Sequence, residues 1–245
     1  IHRLIQVCNN IGKNAKFKRL YNAPWLITFW LEMHRLYKED RYLVRIERSM
    51  RDYYGKGGAK FYPNGSVFSD AVKAIRDAGK TETARELAGL VRTHVENIRA
   101  NGILYPPHEV RFEQTIVTPA LSILSAYYNL IERDPALLGE AKKHAAILKR
   151  FNGDQPDHKW NSLPIRHWDG YWFGKCMIYG DTLPHSASVH TSDAFLHYAR
   201  ISGDETYRKR AVRGARNVLS LFRADGSAST SYLYPLTCNG TRCEF

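Results

Sequence analysis

The sequence predicts an all-α protein of repeated αα-hairpins, stacked or closed into an array. Three observations predict it. Four segments share one plan: helix, short acidic or Gly-bearing turn, amphipathic helix, Gly-containing stop, long link. A unit recurring at about 35 residues is the mark of a helical repeat, since one hairpin cannot bury its apolar face alone. The second helix of each pair carries one apolar stripe, with Arg and Lys on its other faces. No strand alternation, Gly-rich phosphate loop or low-complexity tract competes with this pattern.

Taken in order, Ile1 to about Phe17 reads as the last helix of an earlier hairpin. The first full hairpin runs from Pro24 through Glu39–Asp40 to Gly55, and the second from Ser66 through Gly79–Lys80 to Gly102. The third runs from Thr118 through Asp134–Pro135 to Gly153, and the fourth from about Ser186 through Gly203–Asp204 to Gly226. Thr118-Pro119 and Asp134-Pro135 place a capping side chain before a proline at the first helical position. Thr83 with Glu86, and Ser202 with Glu205, have capping-box spacing. Gly102, Gly153 and Gly226 stand where a left-handed residue stops a helix. The stripes are Leu43, Ile46, Met50, Tyr53; Leu87, Leu90, Val91, Val95, Ile98; Leu138, Ala141, Ala145, Leu148; and Tyr207, Ala211, Ala215, Val218, Phe222. These are outer helices with one wet side. The first helices of each pair are less charged and richer in small and aromatic residues, so they are expected to be inner helices, covered nearly all round.

Short turns within pairs put all tight links on one rim and all long links on the other. The long links are Lys56–Gly65, Ile103–Val117, Asp154–His185 and Ala224–Phe245. Links beyond about 12–15 residues in a compact domain are usually functional or disordered, and aromatic content argues against disorder here.

One domain spanning 1–245 is expected for 245 residues with 44% hydrophobic and 24% charged content. The chain opens mid-pattern at Ile1 and stops after a loop at Phe245, so it is expected to be part of a longer one. No apolar run is long enough to span a bilayer. The net charge of +12 favours an anionic partner, although the basic residues recur along outer helix faces rather than in one tail. Nucleic-acid binding needs a continuous basic stripe and is not assigned. Cys8 and Cys176 are isolated, and Cys238 and Cys243 flank Asn239-Gly240-Thr241-Arg242; no zinc spacing exists. That segment and Asn64-Gly65-Ser66 match the glycosylation sequon. A secreted or periplasmic location is favoured. No cofactor or metal is assigned.

The densest chemistry lies between Trp160 and Phe195. Trp160, Trp168, Tyr171, Trp172, Phe173 and Tyr179 are interleaved there with Arg166, His167, Asp169, Asp181, His185 and His190. Aromatic faces bury large flat areas and suit the C–H faces of sugar rings, while acids and imidazoles supply proton transfer. Two readings stay open. Glycoside hydrolysis would use Asp181 with one of Glu109, Glu113 or Asp169 as its two carboxylates. β-Elimination at a uronic acid would use Arg, His and Tyr to neutralise the carboxylate, remove a proton and protonate the leaving oxygen. Arg111, Arg166, His108, His167, Tyr171, Tyr179, His185 and His190 supply those types. A third reading is a helical repeat that binds a glycan or protein without chemistry. Asp181 and Asp169 also have plain readings as a loop tie and an Asx turn, and single aromatics and histidines as packed core.

The hairpin plan with its rim links resembles the (α/α) toroids of the six-hairpin glycosidase-like superfamily, which includes glycoside hydrolases and polysaccharide lyases. HEVRFEQT (His108–Thr115), IRHWDGYWFGK (Ile165–Lys175), YGDTLPH (Tyr179–His185) and DGSASTSYLYP (Asp225–Pro235) look similar to segments of its carbohydrate-active members, lyases acting at glucuronate among them. A full toroid has twelve helices; eight or nine are legible here, so an incomplete arc is equally expected. The resemblance and the basic charge together imply a lyase acting on an acidic oligo- or polysaccharide. Tyr171, Asp181, His185 and His167 are the expected catalytic set, with Tyr171 or His185 as base and acid and Asp181 orienting His185. Arg111 and Arg166 would pair with the uronate, and Trp168 and Trp172 would stack on sugar rings. Glu109, Asp169, Tyr179, His190 and Tyr232 complete the expected substrate contacts.

Overall fold

A computed structural model describes residues 20, 22–60, 67–106, 114–152, 162, 181–185, 189–229, 231–234, 237–238 and 241–242, with backbone alone at 115, 181–185 and 231–242. Among the described residues, eight α-helices pair into four hairpins: α1 Asn22–Tyr37 with α2 Asp40–Gly55, α3 Val67–Asp77 with α4 Thr81–Asn101, α5 Gln114–Leu130 with α6 Pro135–Arg150, and α7 Val189–Ser202 with α8 Glu205–Leu219. Four short strands accompany them: β1 Asp181–His185, β2 Ser231–Tyr234, β3 Thr237–Cys238 and β4 Thr241–Arg242. The molecule is thus an all-α array of hairpins with small strand pairs on its links. Among the described residues no helix is long and apolar enough to cross a membrane.

The tight turns stop helices by backbone conformation. Lys38, Gly79 and Gly203 take positive φ values of 57°, 78° and 69°. The Gly79 and Gly203 amides donate to Arg76 O at 2.9 Å and Ala199 O at 2.9 Å, satisfying carbonyls left open at the helix end. Asp134 and Asp204 cap the helices that follow, each accepting from the backbone N–H two residues on at 2.9 Å. Pro135 stands at the first position of α6, where no donor is missed.

The inner helices neighbour one another in chain order: α1 lies beside α3, α3 beside α5 and α5 beside α7. Every described side chain from Ile116 to Tyr127 of α5 is buried, so this helix is the axis of the core. The outer stripes reach the core as their spacing predicts. Leu43, Ile46 and Met50 of α2 and Leu87, Val91 and Ile98 of α4 are all 1% exposed or less, each contributing about 1.5–3 kcal/mol by burial.

Several sequence expectations are corrected. Helix α5 begins at Gln114, not at Thr118, and carries Pro119 inside it. Burial of Ile116 and Val117 extends the helix upstream and offsets the donor that Pro119 removes. Lys80, not Thr83, precedes α4, and Asp204, not Ser202, caps α8, so neither capping box forms. Helix α8 ends at Leu219 and Gly226 closes a tight hairpin instead: Gly226 has φ 85°, Arg223 N donates to Ser227 O at 2.8 Å, and Phe222 bridges Ala228. Phe222 therefore leaves the stripe and is exposed, while Leu221 is buried.

Inner helix α1 is covered on one side only, with Trp25, Leu26, Phe29 and Leu36 exposed. Among the described residues it stands first in the array, with α3 beside it and the start of α7 reached through Trp25. The tight turns are also not level. Arg99, near the far end of α4, reaches Asp134 in the third tight turn at 3.6 Å, because α4 has 21 residues against 11 in its partner α3. The outer layer shows the same stagger twice. Tyr54 Oη meets His94 Nδ1 at 3.5 Å, and Tyr105 Oη meets His144 Nδ1 at 2.6 Å, each joining one hairpin to the outer helix of the next.

Candidate functional site

Two segments far apart in sequence meet as a strand pair. β1 and β2 run antiparallel with Asp181 opposite Tyr234, Thr182 opposite Leu233 and His185 opposite Ser231. The register shifts between Thr182 and His185, across from Tyr232. Pro184 lies in that interval and has no N–H to give a ladder, which is where irregular pairing is expected. β1 lies against α8. The YGDTLPH and SYLY segments are thereby brought to one place, and Asp181, His185 and Tyr232 with them.

Asp181 and His185 stand at the two ends of β1.

The long link that ends in β1 is anchored at two further points. Arg210 of α8 donates to Asn152 O at 3.0 Å, just past α6. Asn217 of α8 donates from Nδ2 to Ser162 O at 3.1 Å, and Ser162 is buried with φ 66°. On the same helix Gly214 lets α7 approach closely, since a Cβ there would stand 2.6 Å from Ser192 Oγ. The helix starts beside the site are tied by polar groups: Thr191 Oγ1 of α7 donates to Gln114 Oε1 of α5 at 2.9 Å, and Thr118 Oγ1 lies 3.4 Å from Thr191 Oγ1. All three are buried, so these bonds run through low dielectric and hold the two helix starts together.

His190 stands in the first turn of α7. Its ring meets that of Trp25, in the first turn of α1, edge on at 6.0 Å and 81°. The ring keeps solvent-exposed surface, while burial of its other side lowers its pKa against the opposing pull of Asp193. Further along the same helices, Asp70 of α3 lies 3.8 Å from Arg35 of α1. Burial raises the Asp70 pKa, and the charges of His197 and Arg35 pull it back. His197 Nε2 lies 3.7 Å from Asp193 Oδ2. The faces of α1, α3 and α7 that look at one another therefore carry titratable groups from Trp25 downward.

Of the residues singled out from sequence, Asp181, His185, His190 and Tyr232 lie in this region. Glu109, Arg111, Glu113, Arg166, His167, Trp168, Asp169, Tyr171, Trp172 and Tyr179 lie outside the described residues, as do Cys8, Cys176 and Cys243. Among the described residues no group of three or more His, Cys, Asp or Glu is placed to hold a metal ion. Sequence reasoning missed Trp25, Asp70, Gln114, Thr191 and His197. Gln114 was within the HEVRFEQT segment, but nothing local marks it as the partner of a threonine 77 residues away. Trp25 reads from sequence as one more apolar residue of an inner helix.

No family model matches the chain, and no curated protein does. The chain is similar to a solved structure of a polysaccharide lyase, with a TM-score of 0.82 and 32% sequence identity, over 95% of this chain and 35% of that one. The chain thus spans about a third of the length of the lyase it matches, and what the two share is the all-α array of hairpins together with nearly a third of its residues.

Proposed function

We propose that this chain belongs to a carbohydrate-active enzyme that cleaves an acidic, uronate-containing polysaccharide by β-elimination, on an (α/α) toroid or an arc of one. The observation that carries this reading is the similarity to a polysaccharide lyase at 32% identity over 95% of the chain. Pairing of the YGDTLPH and SYLY segments supports it, because two of the four stretches that carry the family resemblance meet at one point.

Arg111 and Arg166 pair with the substrate carboxylate and spread the negative charge that develops when the adjacent C–H is broken. A base, Tyr171 or His185, removes the C5 proton. The electron pair forms the C4–C5 double bond, and the C4–O4 bond breaks. The other of Tyr171 and His185, or His167, gives a proton to O4, so that one chain leaves with a hydroxyl and the other with an unsaturated uronate. Asp181, on the same strand as His185, orients it. Trp168, Trp172 and Tyr179 supply flat apolar faces for sugar rings, and Glu109, Asp169, His190 and Tyr232 supply hydrogen bonds.

The test is incubation of the full-length protein with glucuronate-, galacturonate- and mannuronate-containing polysaccharides. Growth of ultraviolet absorbance from the unsaturated product, abolished in His185→Ala, is the expected result. Release of reducing ends with no such absorbance would overturn elimination in favour of hydrolysis. Binding without either, unchanged in Asp181→Ala with His185→Ala, would leave a non-catalytic module.

A further inference from the structure

We propose that Trp25 of α1 and His190 of α7 form a carbohydrate subsite, a stacking platform for one sugar ring at the mouth of the array. It presupposes the glycan-cleaving reading above and adds to it a binding residue from the first hairpin. Trp25 is 60% exposed, although Ile27 and Leu31 of the same helix are 0% and 2% exposed, so the helix is firmly seated where the indole is not covered. An indole left open on a packed helix is uncommon, because Trp is highly buried on average.

The indole is nonetheless held in place. The His190 ring lies against it nearly perpendicular, with centroids 6.0 Å apart, and the two rings come from the first and fourth hairpins. His190 stands five residues after His185, the last residue of β1, and it adjoins Thr191, whose hydroxyl ties α7 to α5. In sequence the platform is thus close to the strand where two resemblance-bearing segments meet. Its chemistry matches a sugar: a flat apolar face for C–H groups and an imidazole edge for hydroxyls. With its pKa lowered by burial, His190 is neutral at pH 7 and offers both a donor and an acceptor. Below the platform, Arg35, Asp70, His197 and Arg200 continue as a charged wall from α1, α3 and α7.

Leu36 provides the control. It is 73% exposed on the same helix but lies about 16 Å further along the axis. Calorimetric binding of uronate oligosaccharides and steady-state lyase kinetics on the full-length protein test the proposal, with sedimentation to follow assembly. Trp25→Ala is expected to raise Kd and KM about tenfold or more, with kcat changed much less; Trp25→Phe keeps most of the affinity; Leu36→Ala changes neither. A wild-type protein that binds and cleaves while Trp25→Ala matches it overturns the subsite and leaves the lyase reading intact. If Trp25→Ala and Leu36→Ala both alter sedimentation while sugar affinity stays constant, α1 presents a protein contact and the subsite is wrong. Absence of binding and cleavage across the panel by the wild-type protein removes both.

Discussion

The two buried Tyr–His pairs make this fold acid-sensitive well above the carboxylate range. His94 and His144 are each fully buried. Burial pushes their pKa values down to about 3 and about 4. Tyr54 and Tyr105 hold one ring nitrogen of each, and Nε2 of both finds no hydrogen-bond partner among the described residues, although Glu140 Oε1 lies 3.6 Å from His144 Nε2 and its charge pulls that ring part of the way back. In the unfolded chain both imidazoles return to about 6.5. The unfolded state therefore binds more protons between pH 6.5 and the folded values, and stability falls as pH falls through that window. Each histidine contributes about 2 kcal/mol of this loss between pH 7.5 and 5, or about 4 kcal/mol together. That is a large share of the 5–15 kcal/mol typical of a domain, and about 8–16 °C in Tm for a chain of this size. The result is insensitive to the folded pKa values, provided both stay below 5. Asp70, raised by burial, works in the opposite sense; His190 adds to the loss. Urea unfolding at pH 7.5, 6.5, 5.5 and 5 measures the slope, and His94→Gln with His144→Gln should flatten most of it. A wild-type loss under 1 kcal/mol across that range, or a double variant as steep as wild type, would refute the reasoning.

Other outcomes follow from single contacts. Gly214→Ala places a Cβ 2.6 Å from Ser192 Oγ, so it should lower stability by about 1–3 kcal/mol, and adding Ser192→Gly should restore most of that in denaturant titrations. Thr191→Val removes the donor to Gln114 Oε1 at 2.9 Å and should cost about 1–2 kcal/mol, with faster amide exchange at the starts of α5 and α7. Asp134→Ala and Asp204→Ala each lose a helix cap and should each cost about 1 kcal/mol, adding nearly independently because they share no partner.

The helices were legible because helix formation and amphipathic burial both repeat every 3.6 residues. Leu43, Ile46, Met50 and Tyr53 announce a buried face by their spacing alone, and all four reach the core. Asp134-Pro135 reads correctly as a cap because every group it needs lies within four residues. Thr118-Pro119 carries the same signal and misleads, because the apolar run from Ile116 finds a core to fill and the helix continues through the proline. β1 and β2 were not legible. Strands of five and four residues are too short to show alternation, and Pro184 argues against a strand locally. Their ladder exists because α8 and the hairpin turn at Asp225-Gly226 bring the segments alongside.

By itself the sequence determined the all-α class, the four hairpins, the placing of their turns and the stripes that face the core. Each of these depends on residues within one or two helical turns of each other. The tertiary structure alone decided that Trp25 faces His190, that Gln114 receives Thr191, and that Asp181 and His185 stand at opposite ends of one strand. The contacts between helices are set by the stagger and packing of whole elements, and no local periodicity encodes a contact between residues of different hairpins.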